Sequence, residues 1–392
     1  MTQLQKRSPI QDKNIAIIGA GPGGLILARL LQMNGASVKV YERDASPAAR
    51  VQGATLNLNA GSGLDAIIKA GLMESFKKAY RPGADKMIFV DGSANILIDE
   101  ADDSDGVESR PEIDRGPLRE LLLASLDADT VVWDAQFLSL QRTGDGVELT
   151  FKNGKTALAD LVIAADGANS KVRPYITSIA PVYSGVTVVE GAVHEVEKTM
   201  PQIHKLLNGG KICVLGNKKT LIIVLKGDDT VAFYTGHKAE PGWPDNCGID
   251  FSDRVQVLGW FKKEFHGWNA MWDALIENAS LPLIPRPQFC APANQDWQSL
   301  PDLTMLGDAA HVMPPYAGEG VNMAMQDAMV LADNLLDPGF ASMHAAIAAY
   351  EKEMRGRNGQ TAKMTLEFTE AFHSSDPVPF FKEVFSAVVT NE

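Results

Sequence analysis

Short apolar runs alternate with amphipathic ones along most of the chain, and the change of period separates strands from helices. Residues 14–19, "NIAIIG", form an unbroken apolar run after Asn14, the texture of a strand covered on both faces. From Gly24, "GLILARLLQMNG" takes helical spacing and ends at Gly35, a stop signal. "SVKVYE" then alternates as a second strand. Together these make a βαβ unit of about thirty residues, the length that unit requires.

Further on, "GSGLDAIIKAGLMESFKKA" predicts one helix, and "DKMIFVDGSANILID" a hairpin turning at Asp91-Gly92. "DRGPLRELLLASL" is an amphipathic helix with Leu118, Leu121, Leu122 and Leu126 on one stripe. "GVELTFKNG" and "LADLVIAADG" predict two strands that close a first lobe. Between Val182 and His237, "KICVLGN", "TLIIVLKG" and "TVAFYTGH" are separated by short polar turns, an antiparallel meander. A helical stretch with Trp260, Trp268 and Trp272 follows, then the strand "DLTMLG" and a mainly helical end interrupted by Pro377 and Pro379. No internal repeat or low-complexity linker is visible.

Composition narrows the class. The 392 residues are 45% hydrophobic and 22% charged, ordinary for a globular chain with a sizeable core. The net charge of −13 and the lack of a basic run argue against nucleic acid as a partner. No apolar run reaches the length of a membrane span. The polar start carries no signal core, so the expected location is the cytoplasm. Cys213, Cys247 and Cys290 are few and scattered, and His194, His237 and His373 form no ligand pair, so no metal site is expected. The acidic stretch Asp99–Glu108 lacks the order of a calcium loop and reads as a solvated loop.

Three segments carry chemistry. In "GAGPGG", Gly19 permits a tight turn, Gly21 lets the backbone approach a pyrophosphate and Gly24 lets helix and strand pack closely. The helix N-terminus offers N–H groups to phosphates, and Glu42 at the end of the next strand is placed for ribose hydroxyls. This serves NAD and FAD equally. Downstream, "AADGANSKVR" ends a strand at Asp166-Gly167 and runs on to Ser170 and Arg173. "LGDAAHVMPPYAGEGVN" ends another at Gly307-Asp308 and continues through Gly318 and Gly320 to Asn322 before a helix. An aspartate at a strand end suits a ribityl chain, and the glycines after it suit a flavin's carbonyl edge. Each of these two downstream segments alone is equally well a turn capped by aspartate.

In combination and order, the three segments resemble the group A FAD-dependent monooxygenases of the p-hydroxybenzoate hydroxylase fold. "YERD", "GSG", "PEIDRGPLRELLLASLDADTVVWD" and "GDAAHVMPPYAGEGVN" are similar to the tetracycline-inactivating TetX-type subgroup. The resemblance covers nearly the whole chain. It implies an α/β fold in which a Rossmann-like FAD-binding domain of the glutathione reductase type is interleaved with an antiparallel-sheet substrate domain, plus a C-terminal helix. The expected division is FAD-binding segments at 1–80, 111–178 and 296–340, substrate-domain segments at 81–110 and 179–295, and a helical segment at 341–392.

The same resemblance implies that FAD is held by the three motifs with Arg43, Asn57 and Arg115, and that Arg50 helps hold transient NADPH or NADH. It implies a substrate side built from Glu190, Lys211, Met313, Pro315, Tyr316 and Gly318. Asn57 replaces the subgroup's aspartate, and Glu190 and Lys211 replace its glutamine and arginine; a lysine lacks arginine's bidentate fork. No fixed protein nucleophile is expected, because a flavin C4a-hydroperoxide delivers the oxygen. His311 is expected to be a structural hydrogen-bonder, the three tryptophans to pack, and Met323, Met325 and Met329 to face the core. The implied activity is NAD(P)H- and dioxygen-consuming hydroxylation of an aromatic or polycyclic phenol, tetracyclines among the candidates, by a monomer. Two other readings stay open: an FAD-dependent dehydrogenase or reductase on the same scaffold, and a flavin-containing protein that sequesters a ligand without turnover. A halogenase is disfavoured by the lack of W-x-W-x-I-P.

Overall fold

The computed structural model describes residues 7–49, 53, 55–99 and 110–389. The apolar run at the start forms the strand Asn14–Ile18, at the centre of a five-stranded parallel sheet. Ser37–Tyr41 and then Val131–Val132 lie to one side of it, Leu161–Ala164 and then Leu303–Met305 to the other. Helices cover this sheet, so its central strands are buried residue after residue. The strand order reverses on either side of Asn14–Ile18, and parallel sheets of this kind bind ligands at such a point, beyond the strands' carboxyl ends.

A second sheet has seven strands, in the order Ile284–Cys290, Val182–Val193, Val231–Lys238, Lys219–Leu225, Lys211–Gly216, Met87–Asp91 and Ile96–Asp99. The expected meander is its centre, and the Asp91 hairpin its far edge. One pairing is parallel, Lys211–Gly216 with Met87–Asp91, in an otherwise antiparallel sheet. The two sheets interleave along the chain as the resemblance implies. Three antiparallel strands, Phe137–Thr143, Gly146–Phe151 and Thr156–Ala159, form a flap joined to the parallel sheet, and Thr55–Asn57 pairs with Glu112–Asp114.

Several expectations are revised. The single helix after residue 60 is two, Gly63–Lys69 and Met73–Ala79, because Gly71 takes φ +70° between them. "LADLVIAADG" is split between Thr156–Ala159 and Leu161–Ala164, which enter different sheets. The tryptophan-bearing stretch is a helix, Arg254–Glu264, followed by a turn and a short 3₁₀ segment, Ala270–Trp272. Its tryptophans do pack: Trp260 and Trp272 are buried in the core behind the seven-stranded sheet. Met323 and Met325 are buried, and Met329 packs against the main core.

Near the end, Met343–Phe372 is a 30-residue helix begun by Ser342, whose hydroxyl accepts from the Ala345 N–H. Pro377 and Pro379 stop that run and open the last helix, Val378–Val389. Among the described residues, no helix is long and apolar enough to cross a membrane. The acidic stretch 100–108 lies outside the described residues.

Candidate active site

A cavity of about 670 Å³ runs between the two sheets. One end is the first glycine turn. Gly19 has φ +109°, and a Cβ there would sit 2.3 Å from the Ala165 carbonyl oxygen. A Cβ on Gly24 would sit 2.3 Å from the Gly19 oxygen, so the turn packs only as glycine. Gly21 differs: its φ is −80°, and a Cβ would meet no protein atom within 4 Å. Gly21 lines the cavity, so what it leaves room for is a ligand, not the fold. The helix Pro22–Gln32 begins here with no side-chain cap and no acid in its first turn. Its N-terminus presents unsatisfied N–H groups to the cavity, suited to a pyrophosphate.

Glu42 is buried, and its carboxylate accepts from the Ala20 N–H at 2.7 Å and the Asp44 N–H at 3.0 Å. It thus ties the glycine turn to the second strand, with Arg43 pointing to solvent beside it. Arg119, not singled out from the sequence, is buried against this corner. It donates to the Pro47 carbonyl, pairs with Asp44 at 3.3 Å and lies over the Trp133 ring.

The middle of the cavity is the Gly307–Gly320 segment. Gly307 (φ +59°) and Gly318 (φ +70°) take left-handed conformations, and Asp308, Gly318 and Gly320 all line the space. Asp308 is open to the cavity, yet the protein around it pushes its carboxyl above the usual range, while His311 and Arg115 pull it down. A second uncapped N-terminus, that of Gly320–Leu336, opens beside it. Asn57, whose Oδ1 lies beside Gly318, and Arg115 also line the space. Asn322 lies underneath: its Oδ1 accepts from the Asn59 N–H at 2.8 Å and its Nδ2 donates to the Asn57 carbonyl. It bolts the Thr55–Asn57 strand to the helix below the cavity floor.

Asp166 does not reach the cavity. Its Oδ2 accepts from the Lys171 N–H at 2.7 Å, closing its own turn, and burial raises its carboxyl. Arg173 connects that turn to the middle segment by donating to the Ala309 and Ala310 carbonyls, at 3.0 and 2.7 Å. His311 is buried against Asp327, as a structural role requires. Arg50 lies outside the described residues.

The far end is one face of the seven-stranded sheet. Met87 and Phe89, Lys211 and Cys213, Ile222 and Val224 reach the cavity at two-residue spacing. Met313 and Pro315 also line this end, and Tyr316 packs onto the sheet with its hydroxyl against Gly236. Phe368 and Phe372 of the long helix and Phe381 of the last helix complete the wall, a contribution that no sequence motif signals. Glu190 sits elsewhere, paired with Arg286 at 2.5 Å towards the sheet edge, and does not line the cavity. Lys211 does line it, ion-paired with the buried Glu112. Among the described residues, no cluster of His, Cys, Asp and Glu could hold a metal.

A turn suited to phosphates, a polar middle and an apolar chamber share one continuous space, as an FAD-dependent monooxygenase requires. The chain belongs to the FAD binding domain family, the group A flavin monooxygenases, whose model matches residues 12–221 and 296–364. Monooxygenase penA of Penicillium thymicola is 28% identical over 90% of this chain and 93% of its own. Among solved structures, tetracycline destructase Tet(55) superposes with a TM-score of 0.75 at 21% identity, covering 96% of this chain and 95% of the other. HpxO of Klebsiella pneumoniae, complexed with FAD and uric acid, superposes with a TM-score of 0.72 at 22% identity, covering 97% and 93%. The two structures share the fold.

Proposed function

We propose that this chain passes two electrons from NADPH or NADH to bound FAD and inserts one atom of dioxygen into an aromatic or polycyclic phenolic substrate, releasing the other as water. One observation carries the reading: the cavity is continuous from Gly21, past Asp308 and the Gly318–Gly320 turn, to the apolar sheet face. A ligand with phosphates at one end and a flat ring at the other follows that path. When bound, FAD supplies the electron store and the ring at which dioxygen is activated.

The chain's residues bind, orient and exclude. The two uncapped helix N-termini would hold the phosphates and the ring edge. Asp308 would hold FAD by accepting from its ribityl hydroxyls. Phe89, Val188, Tyr316 and Phe381 keep water from the reacting carbon. The Cys213 thiol in the wall is pushed above its ordinary range by burial and stays protonated, so it competes neither as a nucleophile nor as a base.

Tetracyclines are supported as a substrate class by the fold shared with Tet(55), and purine-like rings by the fold shared with HpxO. The test is oxidation of NADPH and of NADH by the FAD-loaded protein with a panel of phenols, tetracyclines and purines, with products weighed by mass spectrometry. Substrate-stimulated oxidation and a product heavier by one oxygen atom are expected. No stimulation by any ring compound overturns the reading.

A further inference from the structure

The cavity's sheet side is apolar on the strands except at Lys211, beside which Asp85, Arg110 and Glu112 also line the space. Glu112, on the short strand Glu112–Asp114, is 1% exposed and lines the cavity, as does Lys211 on the sheet floor. One oxygen of Glu112, Oε1, is ion-paired with the Lys211 ammonium. The other, Oε2, is buried and has no hydrogen-bond partner among the described residues. Arg110, also in the lining, is exposed, and Asp85 is half-buried. A lone lysine in an apolar chamber would select an anionic ligand. With Glu112 against it the charge cancels, and an anionic ring gains nothing from the lysine.

We propose that Glu112 and Lys211 form the specificity element of the substrate chamber, a neutral pair that cancels the one lysine charge on the sheet floor and so admits uncharged rings. The substrate is then an uncharged aromatic, and rings carrying a carboxylate at that position are rejected. This rests on reading the sheet side of the cavity as the substrate chamber.

The test uses the FAD-loaded protein with β-naphthol and β-naphthoate, which share a ring system and differ in donor and charge. Binding is read by the change in flavin absorbance on titration. The wild type is expected to bind naphthol roughly tenfold tighter or better. Glu112→Gln leaves Lys211 uncompensated, and the order is expected to reverse. The double variant Glu112→Gln/Lys211→Met removes both charges and is expected to bring the two ligands within about threefold of each other. FAD content reports folding in each case. A wild type that prefers naphthoate, or an unchanged ratio in both variants, overturns the assignment of Glu112 alone. If neither ligand perturbs the flavin, the chamber reading falls with it.

Discussion

The Nε2 of His311 and the Oδ2 of Asp327 meet at 2.5 Å, with both side chains fully buried. The same oxygen accepts from the Gly307 N–H at 3.0 Å, and Arg357 holds Asp327 Oδ1 at 2.6 Å. Asp327 therefore fixes the backbone immediately before Asp308 without entering the cavity. Asp327→Asn leaves two cations facing a neutral amide, and breaking a buried pair in this way costs roughly 3–5 kcal/mol. The expected outcome is a lower melting temperature and weaker FAD binding, checked by thermal unfolding and by flavin absorbance after gel filtration.

The same pair predicts a pH dependence. Burial works against the His311 imidazolium, but the charge and hydrogen bond of Asp327 outweigh it, and its pKa is raised. A raised histidine contributes stability fully below its unfolded value, about 6.5, and loses it as pH climbs through the folded value. Asp327 is the opposite: burial is outweighed by His311 and Arg357, its pKa is lowered, and its contribution vanishes only as pH falls through that depressed value. The stabilisation is thus complete between about pH 4 and 6.5. The melting-temperature gap between wild type and His311→Gln should be widest there and shrink in alkaline buffer. A constant gap would show that His311 is neutral in the folded protein.

Asp308→Ala is expected to weaken FAD binding at least about tenfold, since a hydrogen bond to a charged group contributes roughly 1.5–3 kcal/mol. Asp308→Asn keeps an acceptor and should lose less. Equilibrium titration of the apo protein with FAD, followed by flavin fluorescence, ranks the three; equal affinity in all would place the ribityl chain elsewhere.

The two glycines of the first turn separate fold from ligand. In Gly24→Ala the new methyl meets the Gly19 oxygen, so apo stability should fall. In Gly21→Ala nothing in the protein is touched, and apo stability should change by less than about 0.5 kcal/mol. FAD affinity should nevertheless drop, because the methyl enters the space the pyrophosphate fills. Apo melting curves and FAD titrations on both variants check the contrast.

These glycines were legible in the sequence because their signal is local: strand, turn and helix follow one another within a few residues. The meander was legible for the same reason. The strand Ile284–Cys290 was not, since Pro285 and Pro287 remove donors and are tolerated only because it is the sheet's edge. Glu112 gave no sign of its role because its partner Lys211 lies 99 residues away. Asp166 looked like a cavity residue and instead closes its own turn; a capping aspartate and a ligand-binding one share the same sequence context. Glu190 shares a strand face with the cavity-lining Val188 two residues before it, and only the tertiary arrangement decides that it pairs with Arg286 outside the cavity.

The aromatic end wall gives a last prediction. Phe381, 1% exposed, stacks on Phe89 at 5.2 Å and meets Phe372 edge-on at 4.5 Å, so the final helix closes a chamber built by three distant segments. Removing a buried phenylalanine costs about 3–5 kcal/mol where the site cannot collapse. Here the loss falls on the last helix and on the chamber's dryness. Phe381→Ala should retain FAD, because the glycine turns and Asp308 are untouched, yet admit water to the reacting ring. The expected outcome is continued NADPH oxidation with more of it ending in hydrogen peroxide, measured by a peroxidase-coupled assay beside product formation. Phe381→Leu refills most of the volume and should restore coupling. If both variants couple as the wild type does, the helix is a brace for the fold and not a wall of the chamber.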